Sequence, residues 1–256
     1  MKRLVDYHLQ AWKNRPEHKP LLIRGARQIG KTYAVRRLGE SFVNIIEVNL
    51  ELAEDAHEIF EKNLDPERIL RELQLYSGEK IIPGKTLVFF DEIQAVPKAL
   101  TALRYFYERI PGLHVIAAGS LLDFAIEQVG VPVGRIANLY MQPLSFMEFL
   151  SAIDQGMLIE AILEQKQEEM PTVIHNKLLD FLGHYLAIGG MPEAVDKWIK
   201  TQNAKESFEV HHQIIENYQM DFRKYAKQHQ VKFLEQLYSQ IPHLVGQQFQ
   251  YKNVHG

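Results

Sequence analysis

The sequence has no cysteine in its 256 residues. Disulfides, thiolate metal sites and thiol catalysis are therefore excluded, and a reducing cytoplasm is compatible with the chain. No uninterrupted apolar stretch is long enough to cross a bilayer. The opening residues, Met-Lys-Arg-Leu-Val-Asp-Tyr-His, lack the apolar core of a secretory signal, so no leader is expected. Positive charge is not in excess either: 29 Lys and Arg against 32 Asp and Glu give a net charge of −3. No global basic field draws nucleic acid, although a local patch remains compatible. Internal repeats and low-complexity segments are also missing.

What is present is ordinary for a globular protein: 46% hydrophobic and 24% charged residues. The length suits one large or two modest domains with a substantial core. One stretch organises the rest, Leu21-Leu-Ile-Arg-Gly-Ala-Arg-Gln-Ile-Gly-Lys-Thr32. Four residues separate Gly25 from Gly30, and Lys31 and Thr32 follow, which is the phosphate-binding loop pattern G-x-x-x-x-G-K-[ST]. The two glycines free the backbone to turn its N–H groups around a phosphate. Lys31 is expected to reach the β- and γ-phosphates and Thr32 to bind Mg²⁺. Ala26, Arg27, Gln28 and Ile29 complete the loop, and Tyr33 follows on a helix whose N-terminus faces the same anion.

A further apolar strand, Thr86 to Phe90, third in chain order after one at 41–50, ends in Asp91-Glu92. Ligands of open parallel sheets collect at the carboxyl ends of strands. Asp91 is expected to hold Mg²⁺, through water, and Glu92 to orient and polarise an attacking water. The fourth strand in chain order, His114 to Ala118, runs into Gly119-Ser120. Ser120 has two open readings, a side chain beside the γ-phosphate and a cap on a helix at 121–128.

The remaining elements follow from periodicity and caps. Helices are expected at 2–14 (Leu4, Val5, His8, Leu9 and Trp12 inward), 31–40, 53–63, 66–76 and 98–110, with a strand at 41–50 and another at 136–141. Beyond Leu144 the reading is helical: 145–153, 158–165, 173–187, 193–200, 205–227 and 232–240, with a strand at 248–254. Ser145 and Glu148 form a capping box, and Gly189-Gly190-Met191-Pro192 breaks one helix and starts the next. Strands alternating with helices imply a parallel sheet with right-handed crossovers. Adjacent His211 and His212 point to different sides of a helix and make no metal pair. The run Arg223-Lys-Tyr-Ala-Lys227 reads as a solvated helix face.

Taken together, these motifs resemble the AAA-type P-loop ATPases, and more narrowly a prokaryotic family whose members carry a C-terminal domain of unknown function. The resemblance rests on Arg24 to Thr32, Val88-Phe-Phe-Asp-Glu-Ile-Gln94, Ala118-Gly-Ser-Leu-Leu122, Pro132-Val-Gly-Arg135, Tyr140 to Phe146 and Gly189 to Pro192. It implies an α/β core at 1–144 with sheet order 5-1-4-3-2, a helical lid at 145–204, and a helical linker with the start of a winged-helix region at 205–256. It implies that a nuclease-like domain would follow beyond Gly256. It also implies a cytoplasmic, Mg²⁺-dependent protein that binds and hydrolyses ATP, or a nucleotide switch with little turnover. Ser120 then looks like a sensor of the γ-phosphate. Pro192 looks like the lid proline beside the nucleotide base, while the lid arginine of many AAA proteins is not evident. Arg135 resembles an arginine finger acting on a neighbour's ATP in a homo-oligomer; pairing with an acid of its own chain is the open alternative. Nucleic acid enters only as the target of the domain that would follow.

Overall fold

The computed structural model describes residues 1–120, 122, 134–165, 169–225 and 228–246. The backbone forms two compact units, Met1–Val195 and Asp196–Gly256.

The first unit is built on a five-stranded parallel sheet. Its strands are β1 (Leu21–Arg24), β2 (Asn44–Asn49), β3 (Thr86–Asp91), β4 (His114–Gly119) and β5 (Ala137–Tyr140), in the order β2-β3-β4-β1-β5. This is the order that the resemblance implies. Central strands of such a sheet are covered on both faces, so they read as unbroken apolar runs. All six residues of β3 and all six of β4 are buried accordingly.

Successive side chains leave the sheet on opposite faces. Leu22, Ile46, Val48, Val88, Phe90, Val115 and Ala117 pack with α3 (Glu58–Glu61), α4 (Pro66–Ser77) and α5 (Pro97–Arg109). Leu21, Ile23, Leu87, Phe89, Ile116 and Ala118 pack with α1 (Leu4–Lys13) and α2 (Lys31–Gly39). Helix α4 starts as its sequence dictates: the Asp65 side chain accepts from the Arg68 backbone N–H, and Pro66 occupies the first turn, where no donor is needed.

Among the described residues, the helices that follow the sheet in the chain are α6 (Phe146–Ala152), α7 (Gly156–Glu164), α8 (Thr172–Ile188) and α9 (Pro192–Thr201). The capping box on α6 is formed, with Ser145 Oγ accepting from Glu148 N and Glu148 Oε2 accepting from Ser145 N. The turn between α8 and α9 is fastened to the end of the sheet layer by Leu144 N donating to Gly190 O at 2.7 Å. A Cβ on Gly190 would stand 2.3 Å from Leu144 O, so only glycine fits.

The second unit contains the end of α9, then α10 (Ala204–Tyr225) and α11 (Gln228–Leu244). Trp198, Val210 and Ile214 are buried in it, and Phe222 meets Tyr238 edge to face at 5.3 Å.

Several expected bounds change. Strand 41–50 shortens to 44–49, because Ser41 and Phe42 turn back onto Leu38 and Gly39 and the ladder with β3 begins only at Asn44↔Thr86. The helix expected at 53–63 is a 3₁₀ turn, Glu54–His57, followed by the single turn of α3. Helix α1 buries Val5, Leu9 and Trp12, whereas Leu4 and His8 are exposed. Helix α11 runs longer than 232–240 and carries Pro242 near its end. The helix expected at 121–128 and the strand expected at 248–254 lie outside the described residues, apart from Leu122.

Candidate phosphate and metal site

The loop 25–30 leaves β1 and delivers the chain into α2. Three of its residues have positive φ: Gly25 at 146°, Gln28 at 62° and Gly30 at 89°. Gly25 is required on space as well as angle, since a Cβ there would stand 2.3 Å from Met141 O and 2.6 Å from Ile29 Cδ1. Ile29 is fully buried and roots the loop in the apolar layer. Ala26 presents its carbonyl to the site, and Tyr33 is exposed on the outer side of α2.

Lys31 is 6% exposed, and its Nζ donates to Gly25 O at 3.0 Å and Ala26 O at 2.7 Å. Burial holds its ammonium below the ordinary lysine value; Glu92 and Asp91 counter this, and Arg27 adds to it. A cation held back from water gains much from an anion brought close to it.

Asp91 closes β3 and is 5% exposed. Its Oδ2 accepts from Thr32 Oγ1 at 2.8 Å, across 59 residues of sequence. Burial pushes this carboxyl up, the Thr32 hydrogen bond opposes the rise, and neighbouring Glu92 adds to it. A buried carboxylate beside a second acid and a hydroxyl is a donor set suited to a hard divalent cation. Mg²⁺ takes one or two protein oxygens and completes its shell with water and phosphate. No cluster of three or more acidic, His or Cys ligands occurs among the described residues.

Glu92 adopts a left-handed backbone, φ 48°, immediately after the strand. Such a conformation in a non-glycine residue is uncommon and turns the side chain out of the strand's alternation. Its Oε2 accepts from Gln94 Nε2 at 2.5 Å and lies 3.5 Å from Ser120 Oγ. Gln94 Oε1 is buried with no hydrogen-bond partner. A Cβ on Gly119 would meet that oxygen at 2.2 Å, so the glycine that ends β4 makes room for Gln94. On its other side Ser120 Oγ accepts from Arg27 Nε at 3.4 Å, and Arg27 Nη2 stands 3.6 Å from Glu51 Oε2. Gly25, Arg27, Lys31, Thr32, Asp91, Glu92 and Ser120 are thus brought together at the carboxyl ends of β1, β3 and β4.

Pro192 Cγ lies 4.0 Å from the Cβ position of Gly30, so the start of α9 abuts the phosphate loop. Arg135 is not part of this group. It precedes β5, at the end of the sheet away from the loop, and its Nε donates to Glu108 Oε1 at 2.9 Å. The ion pair within its own chain is therefore formed.

Sequence reasoning missed three contributors. Arg3, 8% exposed, donates from Nε to Glu148 Oε1 at 2.8 Å, from Nη1 to Ile29 O at 3.0 Å and from Nη2 to Gln142 O at 2.7 Å. It ties the phosphate loop to the exit of the sheet and to the first helix beyond it. Gln94 and Glu51 are the others. Gln94 lies in the strand-end motif, but nothing local marks Arg3 or Glu51.

The family model described as an AAA domain matches residues 17–150, more than half of the chain, and a domain of unknown function (DUF8612) matches residues 180–256. Among solved structures, the Walker-type ATPase paby2304 of Pyrococcus abyssi is similar with a TM-score of 0.55 at 16% identity, over 92% of this chain and 78% of that one. The ORC1 protein of Aeropyrum pernix, in complex with DNA, gives a TM-score of 0.43 at 13% identity over 94% and 73%. PCH-2 of C. elegans gives 0.42 at 12% over 84% and 67%. No curated protein sequence matches.

Proposed function

The chain belongs to the AAA domain family of P-loop ATPases, and from that premise we propose that it binds ATP with Mg²⁺ and hydrolyses it to ADP and phosphate. The observation that carries the reading is the 2.8 Å bond between Thr32 Oγ1 and Asp91 Oδ2. It joins the phosphate loop to the acidic end of β3, with Glu92 as the next residue.

In this reading the loop N–H groups and Lys31 bind the β- and γ-phosphates. Thr32 and Asp91 would hold the metal, which would supply charge neutralisation on the phosphate oxygens. Glu92 orients a water on the γ-phosphorus. The water oxygen forms the new bond to phosphorus, the bridging bond to the β-phosphate oxygen breaks, and Glu92 takes up a water proton that leaves with the products. Ser120, beside the Glu92 carboxylate, contacts the γ-phosphate and the water. Adenine selection and a cytoplasmic setting belong to the same proposal.

A second reading is favoured by the nearness of Pro192 to Gly30 and the Leu144–Gly190 bond. Nucleotide would move α9 against the loop and so act as a switch, with little turnover. Action of Arg135 on a neighbour's ATP is a further form of the proposal, and requires the Glu108 pair to open.

The test is phosphate release from ATP with Mg²⁺, beside Glu92→Gln and across protein concentrations. Turnover that disappears in the variant supports the reading. Binding without turnover at every concentration selects the switch, and no binding of ATP or ADP rejects both.

A further inference from the structure

We infer that Arg27 is an arginine acting in cis on the γ-phosphate, so that one chain supplies the whole charge set of its own site. The inference rests on the nucleotide-binding reading above and assigns to Arg27 a role distinct from that of the loop backbone.

The topology carries it. Ser120 follows β4 and Glu51 follows β2, and β3 lies between these two strands. Arg27 reaches both, with Nε 3.4 Å from Ser120 Oγ and Nη2 3.6 Å from Glu51 Oε2. Its guanidinium therefore crosses the end of β3, where Asp91 and Glu92 stand.

The tie to Glu51 is suited to exchange. At 3.6 Å it is longer than a charge-assisted hydrogen bond. A γ-phosphate oxygen offers the guanidinium a shorter, charge-assisted bond. Arg135 cannot do this for its own chain. It precedes the first residue of β5, which is itself three strand steps, about 10 Å, from the level of Arg24.

The experiment compares the full chain with Arg27→Ala, Arg27→Lys and Glu51→Gln. Affinities for ADP and for β,γ-imido-ATP, each with Mg²⁺, are measured calorimetrically, and single-turnover hydrolysis is followed over a wide range of protein concentration. Arg27→Ala is expected to lower the preference for the imido triphosphate over ADP at least tenfold. ADP affinity should change less than about twofold, because the β-phosphate cradle is backbone and Lys31. Hydrolysis should slow by about 10³-fold, the lower end of what an arginine finger supplies, and Arg27→Lys should recover only part. Glu51→Gln should raise the preference for the triphosphate. Parent hydrolysis should be independent of concentration. If Arg27→Ala weakens both nucleotides equally, or neither, the inference is wrong while nucleotide binding stands. If the parent chain binds neither nucleotide, the underlying reading fails first.

Discussion

Arg3 and Glu148, 145 residues apart in sequence, form a salt bridge of 2.8 Å in which each side chain is only 8% exposed. Burial alone would push the Glu148 carboxyl up. Hydrogen bonds from Ser145 N, Arg3 and Leu4 N outweigh it and hold the group below the ordinary carboxylate range. Removing one partner leaves a buried charge uncompensated. Arg3→Ala is expected to cost about 3 kcal/mol in urea unfolding. Arg3→Ala with Glu148→Ala should cost less than the sum of the two single changes. Additive costs would mean that the pair is not coupled.

The strand-end acids have separable predicted effects. Glu92→Gln should retain ATP affinity and lower kcat about 100-fold or more, since it removes a group that handles the water and leaves the cradle intact. A parent rate in Glu92→Gln would remove Glu92 from the mechanism.

Metal dependence is expected to reside in Thr32 and Asp91. In the parent, Mg²⁺ with ADP should raise the melting temperature above that with ADP and a chelator. Asp91→Asn and Thr32→Val should abolish that increment. An undiminished increment in both variants would place the metal elsewhere.

Gly190 tests the joint between the sheet and α9. An added methyl overlaps the Leu144 carbonyl oxygen at 2.3 Å, and that backbone cannot give way without losing the 2.7 Å bond from Leu144 N. Gly190→Ala should destabilise the chain by about 1–3 kcal/mol, measured by denaturant unfolding. Gly112→Ala is a useful contrast: no atom lies within 4 Å of its Cβ position, so any cost there reflects φ 81° alone.

His114 makes stability depend on pH. It is 6% exposed, stacked on His18 at 3.9 Å, and its Nε2 donates to Lys13 O at 3.1 Å. Burial is the main cause that holds its imidazole below the ordinary histidine value; the hydrogen bond to the Lys13 carbonyl opposes the shift, and the charges of His18 and Lys13 add to it. The unfolded chain therefore takes up a proton near pH 6.5 that the folded chain refuses until lower pH. Between those two points the unfolded state binds more protons, and stability falls as pH falls. Urea midpoints measured downward from pH 7.5 should drop more steeply in the parent than in His114→Gln; equal slopes would exclude the histidine as the cause.

Much of the first unit is legible locally. An apolar run, the loop pattern and a helix beyond it identify β1 and α2, and Pro66 after Asp65 marks α4. The strand bounds near Ser41 are not, because that segment has strand-like residues but no partner opposite it until Thr86. Nor is the inward face of α1. Leu4 is apolar, yet 53% exposed, while the charged Arg3 beside it is buried.

What the sequence by itself determined is whatever depends on neighbours a few residues away. That covers the cradle of Gly25 to Thr32, the acids at the end of β3, the capping box of Ser145 and Glu148, and the alternation that implies a parallel sheet. Tertiary structure alone decided which distant groups meet: Arg3 with Ile29, Gln142 and Glu148, Arg27 with Ser120 and Glu51, and Gln94 against Gly119. Spacing and periodicity act along the chain. These contacts arise from strand order and register, which bring the ends of β2, β3, β4 and β1 side by side whatever their separation in sequence.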